Sequence, residues 1–143
     1  MEEVEKRETA DLIPYKIVDA TIFVFLQKRD GNAKVLPNMF SFFGGKLEPG
    51  ETHEQAMIRE IKEELNFTPT QYKFLGTYNS SVNKNFFMHM YYEQVEDNFE
   101  DIITVSEGEC GKFLSEEEAL DEPMLIESDK KILEDFFAII KNK

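Results

Sequence analysis

One stretch, Gly44 to Leu65, constrains this chain more than any other. Thr52 is a good N-cap, Gln55 stands three residues on where it can reach back to the Thr52 N–H, and Glu51 favours the positive end of the helix dipole. A helix is therefore predicted over 52–65. Ile58, Ile61 and Leu65 recur at three- and four-residue steps as one apolar stripe, while Glu60, Glu63 and Glu64 fall within an arc of roughly 100° turned away from it. One face packs and the other collects carboxylates. Glu60 with Glu63, and Glu60 with Glu64, are like-charged neighbours costing about 0.2 to 0.5 kcal/mol each, in the half of the helix where the dipole prefers cations. A helix selected only for stability would avoid them. Hard divalent cations such as Mg²⁺ and Mn²⁺ compensate such a face, taking one or two carboxylates together with substrate phosphates.

Length and composition set the frame. At 143 residues with 41% hydrophobic content and 13 Phe, the chain is long enough for one globular core. A net charge of −13 argues against nucleic-acid polymers and anionic membranes, which need basic patches to displace counterions. A phosphorylated small molecule stays compatible, because bound metal inverts the sign of a carboxylate-lined site. Cys110 is the single cysteine, and no apolar run approaches the roughly 20 residues of a membrane span. The charged Met1 to Arg7 does not read as a signal peptide, and a cytoplasmic address is expected.

Along the chain, residues 1–14 read as a lead-in and 15–141 as one domain. Ile17 to Lys28 reads as a strand whose run Ile22 to Leu26 is buried on both faces, Asp30-Gly31-Asn32 as a turn, and Lys34 to Pro37 as a short returning segment. Thr68-Pro69 ends the helical region, and two strands, about Tyr72 to Val82 and Phe86 to Gln94, suggest a hairpin. His89 reads as a half-buried sheet residue and His53 as a solvated one. Glu96 to Asp101 reads as an acidic loop; Ile102 to Val105 and Gly111 to Leu114 as a strand pair; Ser115 as the cap of a short helix. An amphipathic helix from Ser128, with Ile132, Leu133, Phe136, Phe137, Ile139 and Ile140, packs on the sheet.

Gly45, five residues, Glu51, seven residues, then Arg59-Glu60-Ile61-Lys62-Glu63-Glu64-Leu65-Asn66-Phe67 resembles the Nudix box of the Nudix hydrolases. The departure is Asn66 where the family has Gly, at a helix-closing position whose left-handed backbone Asn also tolerates. Phe42-Phe43-Gly44-Gly45-Lys46 and the segment from Glu107 to Glu117 are similar to the flanks of bacterial, MutT-like members. The resemblance implies an α/β (α+β) fold, a mixed β-sheet sandwiched between helices (α/β/α). It implies metal-dependent hydrolysis, with water attacking a phosphorus of a nucleoside diphosphate linked to another group.

By position the resemblance makes Glu60 and Glu64 the principal ligands of Mg²⁺ or Mn²⁺, with the Gly44 backbone carbonyl adding an oxygen. It places Glu63 on a metal or on the attacking water, Arg59 as an orienting residue four positions before Glu63, and Glu51 behind the ligands. Glu107 is the candidate for an additional acidic group serving as general base, and Phe23, Phe42 and Tyr78 are candidates for stacking on a base. The expected partner is a small nucleotide, a nucleoside triphosphate (normal or oxidised) or a nucleotide sugar, bound by a monomer or homodimer. An ADP-ribose-type proline would fall at Val82, and the tyrosine of dinucleoside polyphosphate hydrolases among Asn83 to Asn85. The rival readings are a Nudix-fold sensor that binds a nucleotide without cleaving it, and an isomerase of isopentenyl diphosphate. A sensor tends to lose box carboxylates, all present here, and the isomerase needs catalytic motifs that Cys110 alone does not supply.

Overall fold

A computed structural model describes residues 6–29, 31, 32, 38–105 and 109–143. Its centre is the strand β1 (Arg7–Val18), which runs parallel to β6 (Phe86–Gln94) on one side. On the other side β1 has two antiparallel partners. Its first half, Thr9 to Leu12, pairs with β4 (Phe43–Lys46), and its end, Tyr15 to Val18, pairs with β2 (Thr21–Arg29). The strand order is β3 (Phe40–Ser41), β2, β1, β6, β5 (Lys73–Asn79), with β7 (Glu109–Ser115) also pairing with β2. Four helices complete the chain: α1 (His53–Leu65), α2 (Phe99–Ile102), α3 (Glu116–Asp121) and α4 (Glu127–Lys141). The sheet is mixed and helices cover both faces, as the α/β/α expectation holds.

Residues 7–14 are therefore not a lead-in. They form the N-terminal half of the central strand, with Ala10, Leu12 and Ile13 fully buried. Polar Arg7, Glu8, Thr9 and Asp11 mask the strand signal, and Pro14 argues against a central strand because it has no N–H to give. Pro14 falls in the gap between the β4 and β2 ladders, where no antiparallel partner asks for that N–H. The single strand expected over 17–28 is likewise the end of β1 and most of β2, joined at Asp19-Ala20. Both of these residues take positive φ, 50° and 67°, as a two-residue primed hairpin turn requires. Alanine carries no turn signal, so the joint was hidden.

Alternation along the strands sorts side chains into two cores. Ala10, Leu12, Phe25 and Phe43 face α1 and its stripe Met57, Ile61 and Leu65, while Ile13, Tyr15, Val24, Leu26 and Met90 face Ile132, Leu133, Phe136 and Phe137 of α4. The expected hairpin of β5 with β6 is present. The expected pairing of 102–105 with 111–114 is not, since β7 pairs along β2. Phe99, in the stretch read as a loop, is fully buried against Phe25, Phe67 and Phe113, and draws residues 99–102 into a helical turn under α1. Ser115 caps α3 with Glu118 in a capping box, as expected, and α4 begins one residue before Ser128. The Lys34 to Pro37 segment lies outside the described residues. No described helix is long and apolar enough to cross a membrane.

Candidate active site

Thr52 and Gln55 make the capping box in full: the Gln55 N–H donates to Thr52 Oγ1 at 3.1 Å and the Thr52 N–H to Gln55 Oε1 at 3.0 Å. At the other end Asn66 closes α1 in the left-handed conformation, φ 53°, its N–H donating to the Lys62 carbonyl. The helix is fixed at both ends, and its buried stripe sets its rotation on the sheet. The carboxylates consequently face Gly44 and Gly45, the middle residues of β4.

Two contacts define how closely they do so. The Gly44 N–H donates to Glu64 Oε1 at 3.2 Å, and a Cβ built on Gly45 would fall 2.3 Å from Cδ of Glu60. Glu60 thus lies directly against the glycine backbone, where no other residue type leaves room. Arg59 ties the acidic groups into one cluster. Its Nε and Nη2 donate to Glu51 at 2.7 and 2.9 Å, its Nη1 to Glu60 at 2.8 Å and to Glu63 at 3.5 Å, and its Nη2 also to the Lys46 carbonyl at 3.1 Å. Glu51 additionally accepts from the Glu48 N–H at 2.9 Å. The bonds from Arg59 and then from Glu48 depress the Glu51 carboxyl to about 2, and Glu51 in turn raises the Arg59 guanidinium. Arg59 is a planar five-donor fork, and it uses that shape to hold Glu51, Glu60 and Glu63 at fixed separations.

The donor set suits a hard divalent cation: carboxylate oxygens close against a glycine backbone with no Cβ to intrude. Among the described residues no three acidic, His or Cys side chains converge as a ready metal cage, and Glu60 and Glu63 both bond to Arg59.

Two further carboxyls approach from the other face of β1 and were not singled out in the sequence. Asp11 pairs with Gly44 across the β1–β4 ladder, is 8% exposed, and accepts from Thr9 Oγ1 at 3.1 Å. Burial, and then repulsion from Asp129, Glu64 and Glu60, holds its carboxyl well above the usual range. Asp129, in the first turn of α4, is 5% exposed and is pushed up to about 7 by burial. Isolated polar residues in an unrecognised strand and in a helix's first turn give no periodic signal, so only the packing reveals them.

The stacking candidates separate. Phe42 is 7% exposed within the α4-side core, packed rather than free to stack. Phe23 pairs with Lys16, five positions along β1 from Asp11 or roughly 16 Å away, and on the α1 face, so it does not join the box carboxylates. Tyr78 packs on the α4 side and donates to Asp135 at 2.9 Å, with burial and Asp135 pushing its hydroxyl up to about 12. Glu107 lies outside the described residues. His89 is a satisfied sheet residue, bonded to Thr77 at 2.8 Å and Glu8 at 3.0 Å. His53 is not simply solvated: it bonds the Tyr91 hydroxyl and stacks on His89, ring centroids 4.3 Å apart.

The family model for the NUDIX domain matches residues 7–136, nearly the whole chain and including all of β1. The chain belongs to the Nudix family. It is 33% identical to a CTP pyrophosphohydrolase of Escherichia coli over 101 residues, 71% of this chain and 73% of that one. Over a shorter stretch of 49 residues, 34% of this chain and 37% of the other, it is 43% identical to the 8-oxo-dGTP diphosphatase of the same organism. Among solved structures, a mutT/nudix family protein from Listeria innocua superposes with a TM-score of 0.80 at 19% identity, covering 98% of this chain and 97% of that one. This Nudix protein is a hydrolase of phosphoric anhydride bonds.

Proposed function

We propose that this Nudix hydrolase is a metal-dependent pyrophosphohydrolase of nucleoside triphosphates, normal or oxidised, or of nucleotide sugars. The observation that carries this reading is the convergence of Glu60 and Glu64 on the Gly44–Gly45 pair of β4, with Arg59 bracing Glu51, Glu60 and Glu63 around it. Relatives named for CTP and for 8-oxo-dGTP support a nucleoside triphosphate as the first class to try.

In this reading Glu60, Glu64 and the Gly44 carbonyl hold Mg²⁺ or Mn²⁺. When bound, the cation neutralises bridging phosphates and acidifies the attacking water. Glu63 lies at the exposed edge of the carboxylate face, where it orients or takes a proton from that water. Arg59 fixes the Glu63 carboxylate by their i,i+4 pair, and Glu51 fixes Arg59. Attack of water on phosphorus breaks one anhydride bond and yields a nucleoside monophosphate with pyrophosphate or a phosphorylated fragment.

Phosphate and pyrophosphate release, followed with Mg²⁺ and then Mn²⁺ across nucleoside triphosphates, nucleotide sugars, ADP-ribose and dinucleoside polyphosphates, tests the reading. Glu64→Gln is the control. Turnover of a triphosphate or sugar nucleotide, reduced at least about a thousandfold in the control with the fold intact, is expected, since an electrostatic group at a reacting centre contributes on that order. Nucleotide binding without turnover, or full activity of Glu64→Gln, would overturn it.

A further inference from the structure

At the end of the central strands away from the box, a hollow of about 190 Å³ is lined by Tyr15 of β1, by Tyr92, Glu93 and Gln94 of β6, and by Gln71 and Lys73 at the entry to β5. Tyr15 is four positions along β1 from Asp11, the ladder partner of Gly44, or roughly 13 Å away. Its ring packs on the α4 face of the sheet, whereas the box helix covers the other. Lys73 is the ladder partner of Tyr92. Lys143, just beyond α4, sets its ammonium 5.2 Å from the centroid of the same ring and donates to the Tyr92 hydroxyl at 3.5 Å. Both lysines therefore meet on one tyrosine, and the Lys143 ammonium, by direct contact and then by repulsion, lowers that of Lys73.

Two features of this hollow are not explained by packing. Two ammonium groups lie side by side in a chain with 29 acidic and 16 basic residues, yet neither makes an ion pair with a carboxylate among the described residues. Counter-charges are abundant in the chain and missing at this place. Tyr15 is 6% exposed, and its hydroxyl has no hydrogen-bond partner among the described residues. Since no sealed side-chain polar atom among them lacks a partner, that hydroxyl opens on the hollow it lines. A phenylalanine would pack the same ring against Tyr92 and Phe136 without a polar atom to satisfy. Glu93 is turned to the other face of β6, where its Oε1 accepts from the Thr70 and Gln71 N–H groups at 3.1 and 2.8 Å. Past Gln71 and Gln94 the groove continues to Glu96 and Asp97, which confine an anion to the lysine end.

We propose that this hollow is an anion site that takes a phosphate group, free or carried by a small molecule, between the Lys73 and Lys143 ammonium groups and the Tyr15 hydroxyl. Each ammonium offers several N–H donors and no acceptor, the hydroxyl adds an O–H, and the Gln71 and Gln94 amides stand at the rim. A phosphate dianion accepts at every oxygen, and its charge offsets the repulsion between the two lysines. The site needs no metal and shares no residue with the box.

Inorganic phosphate, and separately AMP, titrated into the metal-free protein at an ionic strength held constant with NaCl and followed by backbone amide NMR shifts, tests this in the wild type, Lys73→Gln and Tyr15→Phe. Melting temperatures without phosphate are measured alongside. Saturable shifts clustered at Lys73, Tyr92 and Gln94 are expected, with affinity at least about tenfold weaker in Lys73→Gln, the loss typical of a hydrogen bond to a charged group, and also weaker in Tyr15→Phe. Both variants should melt no lower than the wild type, because one relieves a repulsion and the other removes an unpaired hydroxyl. Saturation by inorganic phosphate assigns the free ion; saturation by AMP alone, at the same amides, assigns a carried phosphate. Shifts confined to Gly44, Gly45 and α1 would overturn the proposal and leave the box reading standing. Failure to saturate, or equal affinity in Lys73→Gln and the wild type, would overturn it too. If Tyr15→Phe melts well below the wild type, the comparison with Lys73→Gln decides.

Discussion

A methyl group on Gly45 would meet the Glu60 carboxylate at 2.3 Å, a separation that no pair of carbon atoms tolerates. The Glu60 carboxylate is the far end of a flexible side chain, so Gly45→Ala should push it out of place rather than disrupt β4. The expected result is a loss of kcat of about tenfold or more, in keeping with the effect of misplacing a positioned group by about 1 Å, with little change in melting temperature. Equal kcat in the two proteins would show that Glu60 does not work from this position. At this scale the sequence was informative where residues obey a rigid spacing, as Arg59, Glu60, Glu63 and Glu64 do. It was silent on Asp11 and Asp129, whose burial depends on what packs around them. It misled on Phe42, because an aromatic residue near a glycine pair reads the same whether it stacks on a ligand or fills the core.

The box helix works because both its ends are held, and the N-terminal end carries a pH-sensitive contact. His53 sits in the first turn of α1 between Tyr91, Phe74 and His89, and burial, then the neighbouring His89, lowers its imidazole, while Glu8 and Glu54 oppose that shift. The dipole at a helix start also disfavours a cation there. The folded protein therefore prefers neutral His53. Its contribution to stability is complete above the unfolded imidazole value near 6.5 and is lost as pH falls through that value toward the lower folded one. Urea midpoints at about pH 7.5 and about pH 5.5, spanning that range, should fall further on acidification for the wild type than for His53→Gln. Equal losses in the two would remove His53 as the cause. Among elements, α1, α3 and α4 were legible because caps and stripes are local signals. β1 was not: its polar first half becomes a strand only because β4 and β6 lie on either side of it.

Across the whole molecule the charge balance is −13, and many of the acidic residues are exposed on the surface. Such self-repulsion destabilises the compact state and is screened by salt. Raising NaCl from about 20 to about 200 mM, which shortens the screening length to under about 10 Å, should raise the melting temperature. Mg²⁺ at matched ionic strength should raise it further, by binding the folded state at the box. If Mg²⁺ does no more than NaCl, the box does not bind it in the free protein.

The amino-acid sequence by itself determined the box helix with both its ends, the carboxylate face, the C-terminal amphipathic helix and hence the family, because each is written in the spacing of residues close together in the chain. Tertiary structure decided what local spacing cannot carry. It made Arg7–Val18 the central strand, buried Phe99 beneath α1, separated Phe23 and Phe42 from the carboxylates, and brought Asp11 to Gly44, 33 residues away in the chain. A strand's partners, and the side chain that lies opposite a glycine across the sheet, depend on which distant segments pack together, and that is settled by burying both faces of one sheet at once.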